Sequence, residues 1–586
     1  MAMSDTIHFD MKWGVRILLR DGVHLNATVY TPKGQKEPKP CIFILTPYIS
    51  DSHHERGVYF ANQGLPLAIV DSRGRGNSEG KFRPSLQEGK DGYDIVEWLA
   101  RQSYCNGKVA MLGGSYLGYC QWVTAKEFPP HLATIVPMAA PYQGVDFPMR
   151  NNIFNPYVVQ WLTLTSGRAA QKSIFSDSAL WTGLFRQWHE SGRPFREVDT
   201  LCGNPSAIFQ EWLNHPALDA YWDDYNPTAE QYARLQLPIL TITGSYDDDQ
   251  PGALEHYRQH MRHASPAARA WHYLIIGPWD HGNTGIPHAE FGGLKFAEAS
   301  VIDNYKLLHQ WYAWTMEDGP KPEMLKNRVV YYVMGAERWR YADTLEAVTA
   351  RHDTYYLDSE ANANDVFRSG SLARRTGKGR PDFYTYDPAD PTGPEIAAEA
   401  KAAGGSLVDQ TVLIALNGRQ LVYHCAPFAA DTEISGFFRL RAWIAIDCPD
   451  TDLYVTVYEI GSDGNSIRLS TDGIRARYRQ SLRQPELITT REPLLYEFER
   501  FTFVSRQVKR GHRLRLVIAP MGHLIETTFA EKNYNGGGVV AEESAEQSRP
   551  VTVTLFHDDA HPSALYVPLG QPESPAEPGS SPETPS

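Results

Sequence analysis

The stretch Val109-Ala-Met-Leu-Gly-Gly-Ser-Tyr-Leu-Gly118 constrains this chain more than any other. An apolar run ends in two glycines and a serine, and the residues beyond can continue as a helix. That order predicts a buried strand, a sharp turn and a helix start. A serine on such a turn is pushed out at the end of a sheet, above the N-terminus of the following helix. The free N–H groups of that helix face any negative charge that forms beside Ser115. The glycines let the backbone bend hard and approach its neighbours closely. The usual elbow pattern is G-x-S-x-G, whereas Gly113-Gly114-Ser115-Tyr116-Leu117-Gly118 puts leucine at the second glycine position and glycine one residue later. A Gly-Ser turn between strand and helix is as often structural as catalytic, so the partners of Ser115 decide its meaning.

Around this elbow the chain alternates between strand-like and helix-like segments. Val15 to Tyr30 alternates apolar and polar residues around Asp21-Gly22, a hairpin signal. Apolar runs follow at 41–45, 65–70, 109–112 and 134–138, and Ile95, Trp98 and Leu99 share one helical face between Glu88 and Gln102. Strands separated by helices predict a parallel sheet wound on both faces, an α/β fold. From about Asp146 to Tyr232 strand-like runs give way to helical segments crowded with aromatics (Phe154, Tyr157, Trp161, Phe175, Trp181, Phe185, Trp188), which reads as an inserted helical cap. Most of these rings belong to the cap's own core, and a few, Trp161 among them, are expected to line a cleft for substrate. The α/β rhythm resumes at Leu237–Thr243 and at Trp271–Ile276. From about Asn327 the chain turns all-β in character, with strands expected at 328–334, 354–357, 437–446, 453–460, 513–519 and 551–556, and with 368–406 as a long surface loop. A β-sandwich or jelly roll is the natural packing. The expected domains are therefore 1–145 and 233–326 as an α/β core, 146–232 as the cap, 327–570 as the β domain, and 571–586 as a disordered tail of Pro, Ser and Glu.

A formal charge of −13 is spread along the 586 residues, with no basic stripe, which argues against nucleic acid or an anionic membrane as partner. No apolar run approaches membrane-spanning length, and the first fifteen residues lack the basic start and apolar core of a signal peptide, so a cytoplasmic location is expected. Cysteines 41, 105, 120, 202, 425 and 448 form no CxxC pair and read as buried reduced thiols. His256 and His260 are spaced i, i+4, but no HExxH pattern accompanies them, so they read as a surface pair and no metal is expected. Asp71-Ser-Arg-Gly-Arg-Gly-Asn-Ser-Glu-Gly80 misses the GxGxxG spacing and reads as a structural loop held by Asp71 and Arg73, so no cofactor is expected.

Serine needs a base within hydrogen-bonding reach, and the base needs an orienting group. Asp247 lies just beyond one apolar run and His281 just beyond the next, positions that converge on one edge of a parallel sheet. The order Ser…Asp…His is that of α/β hydrolases. Any of Asp247, Asp248 and Asp249 can face the histidine, and two of the three are expected to be solvated; Asp280 is expected to splay away. The oxyanion needs donors as well. The backbone N–H of Tyr116 supplies one, and the loop after Cys41–Leu45, which lacks an HGGG motif, offers the neutral Tyr48 hydroxyl as the other.

These residues resemble the cocaine-esterase-like CocE/NonD hydrolases, relatives of the Xaa-Pro dipeptidyl peptidases, α-amino-acid ester hydrolases and glutaryl-cephalosporin acylases. The resemblance spans nearly the whole chain. It rests on Thr46-Pro-Tyr48, the 71–80 loop, Gly113–Gly118, His215-Pro-x-x-Asp-x-Tyr-Trp222, Gly244-x-Tyr-Asp247, Gly277-Pro-Trp-x-His281, Tyr386-Asp-Pro-x-x-Pro391, and Asp472-Gly473 with Arg475 and Tyr478-Arg479. It implies an α/β-hydrolase core, a helical cap and a C-terminal jelly roll, with Ser115 as nucleophile, Asp247 as acid, His281 as base and Tyr48 as oxyanion tyrosine. The elbow leucine is normal for this group. The amino-acid ester hydrolases hold the substrate ammonium with acids two and three residues after the catalytic Asp; here Asp249 matches the first and Gln250 replaces the second. A dedicated Xaa-Pro peptidase usually carries an additional N-terminal domain, which is not seen in this chain. The expected function is hydrolysis of small-molecule carboxylic esters or activated amides through an acyl enzyme. Peptidase-like or α-amino-ester activity, acyl transfer, and a sugar-binding protein with a vestigial triad stand as rivals; homo-oligomer formation stays open.

Overall fold

The computed structural model describes residues 8–390, 407–520 and 530–572. The tail expected to be disordered lies outside the described residues from 573 onward, as does 391–406 of the expected long loop. The first sheet has ten strands: β1 (Phe9–Leu18), β2 (His24–Pro32), β3 (Lys39–Thr46), β4 (Leu67–Asp71), β5 (Cys105–Gly114), β6 (Leu132–Met138), β7 (Ile239–Tyr246), β8 (His272–Asp280), β9 (Val329–Val333) and β10 (Arg338–Ala342). Their order is β1-β2-β4-β3-β5-β6-β7-β8-β9-β10. From β4 to β9 neighbouring strands run parallel, while the β1–β2 hairpin and β10 add antiparallel edges. Every residue of β7, and all of β3 except its first, is buried, as expected of strands covered by helices on both faces.

The sheet and the cap share one hydrophobic core. Helices Tyr157–Leu164, Ser178–Ser191, Ala207–Leu213 and Ala229–Arg234 lie between β6 and β7 in sequence. Their Trp161, Trp181, Phe185, Trp188, Phe209, Trp212 and Tyr232 pack in the cluster that holds Phe43, Leu45 and Met138 of the sheet.

The C-terminal strands join a second, 13-stranded, predominantly antiparallel sheet system. Strands Thr349–Asp358, Arg439–Ile446, Asp452–Ile460, Arg513–Ala519 and Val551–Phe556 stand close to the positions read from sequence. The sheets do not divide at the expected domain boundary of 326/327: β9 and β10 complete the first sheet, and the all-β sheet starts at Thr349. A short apolar strand shows its β character in sequence but not which sheet it will join. The region 368–406 is not a loop throughout, since Gly370–Ala373 pairs with Tyr356–Asp358 and Asp382–Tyr386 pairs with Val551–Leu555. Its Gly and charge content hid two short strands, the second paired with a strand far along the chain.

Candidate active site

Four candidate residues stand at strand ends. Tyr48, Ser115, Asp247 and His281 follow β3, β5, β7 and β8, all at the C-terminal edge of the parallel region. Ser115 has φ 58°, in the left-handed region where a non-glycine residue is strained, and it caps the helix Tyr116–Ala125. Its N–H donates to the carbonyl of Met138 (2.9 Å), and its own carbonyl accepts from Gly118 (2.7 Å) and Tyr119 (3.0 Å). The glycine pattern now has a cause. A Cβ on Gly118 would stand 2.7 Å from the Met138 carbonyl oxygen, and one on Gly113 would stand 2.4 Å from the Leu117 Cβ. Close approach is needed at 113 and 118, so leucine is accepted at 117.

Asp247 and His281 are joined directly. The imidazole Nδ1 lies 2.8 Å from Asp247 Oδ1. A carboxylate only accepts, so Nδ1 carries the proton and Nε2 is the basic nitrogen. Asp247 is held by the Thr243 hydroxyl on Oδ2 (2.7 Å) and by the Asp249 N–H on Oδ1 (3.0 Å), and its side chain is fully buried. The His281 turn is pinned in its own right, as Thr284 Oγ1 donates to the His281 carbonyl (2.7 Å) and Asn304 Nδ2 to the Thr284 carbonyl (2.7 Å).

Asp249 is the second acid at the imidazole, with Oδ2 3.7 Å from Nδ1. The expectation that two of the three loop acids are solvated is corrected for Asp249, whose side chain is only 16% exposed. Burial would lower His281, but the charge of Asp249, the hydrogen bond to Asp247 and the charges of Asp247 and Asp248 outweigh it and hold the imidazole well above its ordinary value. Asp249 is itself raised, by burial first and by the like charges of Asp247 and Asp248, while His281 opposes this. Asp280 splays away as expected and accepts the Asn283 N–H (2.8 Å).

Trp161 Nε1 donates to the Tyr48 oxygen at 2.9 Å, and Ser115 is a further neighbour that, like Trp161, favours the charged phenol. Burial raises the Tyr48 hydroxyl far above its ordinary value, against the opposing hydrogen bonds from Trp161 and Ser115, so it stays a neutral donor. Trp161 is 4% exposed, and its ring centroid lies 5.3 Å from that of Tyr116.

Several residues that shape the site carried no separate signal in the sequence. Arg75, inside the 71–80 loop, is fully buried and donates to the carbonyls of Pro47 (2.8 Å) and Thr165 (2.6 Å) and to that of Gly167, tying the Tyr48 loop to the cap. Asp71 and Arg73 do hold that loop, through Ser50, Asn26 and Asp91. Glu88 accepts from the Tyr116 hydroxyl, and the same hydroxyl accepts the Ser85 N–H (2.7 Å). His256 and His260 are not a surface pair. Both are fully buried, His256 stacked on Trp122 with ring centroids 4.8 Å apart. The helix Gln250–His263 turns that face inward because Leu254 and Tyr257 share its buried side. Among the described residues no group of three His, Cys, Asp or Glu is placed to hold a metal, and no helix is long and apolar enough to cross a membrane.

Residues 21–283 match the model of the X-Pro dipeptidyl-peptidase S15 family, and residues 324–521 match the X-Pro dipeptidyl-peptidase C-terminal non-catalytic domain. The chain is similar to the CocE/NonD-like hydrolases of the S15 group. It is 25% identical over 594 residues to the cocaine esterase of Rhodococcus sp. (strain MB1 Bresler), covering 96% of this chain and 99% of that one. An α-amino acid ester hydrolase and an aminopeptidase from a marine sediment Thaumarchaeota archaeon each superpose with a TM-score of 0.81 at 20% identity, covering 97% of this chain and 98% of theirs. A CocE/NonD family hydrolase from Staphylococcus aureus gives 0.67 at 16% identity, covering 96% and 94%. These superpositions show the shared fold, an α/β-hydrolase core with a C-terminal all-β domain, and the family match with the cocaine esterase similarity supports a hydrolase.

Proposed function

We propose that this CocE/NonD-like chain is a cofactor-independent serine hydrolase that cleaves carboxylic esters, or activated amides, of small acyl groups through an acyl enzyme. The observation that carries the reading is the 2.8 Å bond from His281 Nδ1 to Asp247, on the same sheet edge where Tyr48 meets Ser115. Ser115 Oγ attacks the carbonyl carbon as its proton passes to His281 Nε2. Asp247 fixes the tautomer and stabilises the imidazolium. The Tyr48 hydroxyl and the Tyr116 N–H donate to the oxyanion. His281 then protonates the leaving group, and water, deprotonated by the same imidazole, releases the acid from Ser115. Similarity to a cocaine esterase and to an α-amino acid ester hydrolase supports ester substrates.

Asp249 favours a second reading, in which the acyl group carries an ammonium, since its carboxylate stands beside His281. A panel of simple acyl esters, amino-acid esters and Xaa-Pro amides, assayed with wild type and Ser115→Ala, tests both. Turnover of esters that disappears in Ser115→Ala supports the hydrolase, and a preference for amino-acid esters lost in Asp249→Asn supports the second reading. Ester turnover that survives in Ser115→Ala contradicts the mechanism.

A further inference from the structure

Gln250 stands where the ammonium-binding amino-acid ester hydrolases carry an acid, and its side chain is fully committed elsewhere. It is the first residue of the helix Gln250–His263, directly after the Asp247-Asp248-Asp249 loop, and it is 1% exposed. Its Oε1 accepts the Phe503 N–H at 2.6 Å. Its Nε2 donates to the Gly244 carbonyl at 2.8 Å and to the Phe503 carbonyl at 3.3 Å. One primary amide thus meets both backbone groups of one residue in the all-β domain, like a single rung of a β-ladder, while gripping the strand that leads to Asp247. A side chain with only acceptors, or with neither group, cannot do this.

Phe503 is itself anchored. It is fully buried, and its ring packs against Tyr331 of β9 and against Phe437, with centroids 6.3 and 5.6 Å away. The adjoining Thr502 carbonyl accepts from the Ser470 hydroxyl at 2.6 Å. Three residues earlier, the Arg500 N–H donates to Asp472 at 2.8 Å, and Asp472 also accepts from Asn151 Nδ2 of the cap at 2.9 Å. The short strap Arg500–Phe503 of the β domain is therefore tied at one end, through Asp472, to Asn151 of the cap, and at the other to Gln250 beside the acid loop.

We infer that Gln250 is a positioning residue through which the C-terminal β domain sets the loop of the catalytic acid, so that Asp247 meets His281. The inference rests on the hydrolase reading above and gives the β domain a part in catalysis beyond packing. It acts through geometry alone: Gln250 touches no reacting atom, and a small displacement of an orienting group lowers turnover without weakening substrate binding.

The test compares Gln250→Leu and Gln250→Glu with Val553→Ala, a cavity variant in the core of the β domain away from the strap. Activity is read on p-nitrophenyl acetate, folding by thermal unfolding, and the Asp247–His281 bond by the downfield proton resonance of the His281 imidazole, assigned with His281→Asn. Both Gln250 variants are expected to lose about tenfold or more in kcat with KM little changed. The acid limb of their kcat/KM profile should move to lower pH, and the His281 resonance should weaken or vanish. Val553→Ala is expected to lower the melting temperature while leaving all three readouts in place. Gln250 variants that keep kcat, the acid limb and the resonance overturn the inference, as does a Val553→Ala protein that loses them equally. Should wild type lack turnover that depends on Ser115, the hydrolase reading fails, and the resonance still decides the latch.

Discussion

Trp161 donates its indole N–H to the hydroxyl oxygen of Tyr48 at 2.9 Å, and this bond sets where the Tyr48 proton goes. An indole N–H can only donate, so the phenol must accept from it and keep its own proton for another partner. Ser115 is another neighbour of this hydroxyl. The helix Tyr157–Leu164 of the cap thereby fixes the Tyr48 hydroxyl, which under the proposed mechanism is the neutral donor to the oxyanion.

Tyr48→Phe is expected to lower kcat by about 10²–10³-fold, the usual cost of losing one oxyanion donor. Trp161→Phe should cost roughly tenfold, because the phenol remains but is no longer aimed. The double variant should be no slower than Tyr48→Phe alone, since the two residues act as one unit. Steady-state kinetics on one ester across this cycle decides it; additive losses would separate the two residues.

The pH profile should report Asp249. Catalysis needs His281 neutral, and the facing carboxylates favour its charged form. Asp249→Asn removes one of those charges, so the acid limb of kcat/KM is expected to move to lower pH. A limb that stays in place, or rises, would show that Asp249 does not act on the imidazole.

Stability should fall in mild acid because of histidines remote from the chemistry. Burial holds His256 down to about 3 and His260 to about 4, and His272 lies well below the ordinary value. The unfolded chain takes up these protons near pH 6.5, before the folded one does. Their contribution is therefore full above about pH 6.5 and is lost as pH falls toward 4, at up to about 1.4 kcal/mol per pH unit for each group. Urea unfolding of wild type and His256→Gln between pH 7 and 4.5 checks this. The variant should show the shallower slope, by up to one proton.

Glu88 should matter to both folding and turnover. Burial raises its carboxyl to about 7 against the hydrogen bond from Tyr116, which acts in the opposite sense. Glu88→Leu leaves the buried Tyr116 hydroxyl without its acceptor, a cost of about 1–3 kcal/mol. It should also slow ester turnover by loosening the residue whose N–H faces the oxyanion. Glu88→Gln, which keeps an acceptor, should recover most of both losses, as read by urea unfolding and kcat.

The sequence exposed those parts of the site that obey local rules. Ser115, Asp247 and His281 were legible because each follows an apolar run, and parallel strands send their C-terminal ends to one edge. Tyr48 carries no motif of its own, and only the need for a donor in the loop after β3 points to it. The contacts of Arg75, Glu88 and Gln250 were not legible, because each side chain reaches a backbone or a ring far away in the chain, and a polar residue bound for burial looks like any other polar residue. The same blindness placed His256 and His260 on the surface, since a buried imidazole needs only one hydroxyl and one carbonyl, here Tyr232 and Pro141 for His256. Which sheet β9 joins was not legible either, because a short apolar strand does not name its partner.

The central claim is that the Ser115 hydroxyl is the nucleophile made reactive by His281 and Asp247. Its most direct test is covalent labelling with a fluorophosphonate, followed by peptide mass spectrometry on wild type, Ser115→Ala, His281→Asn and Asp247→Asn. The account predicts one equivalent of label on the peptide carrying Ser115, none in Ser115→Ala, and much slower labelling in the other two. Labelling at another residue, or at the same rate without His281, would contradict it.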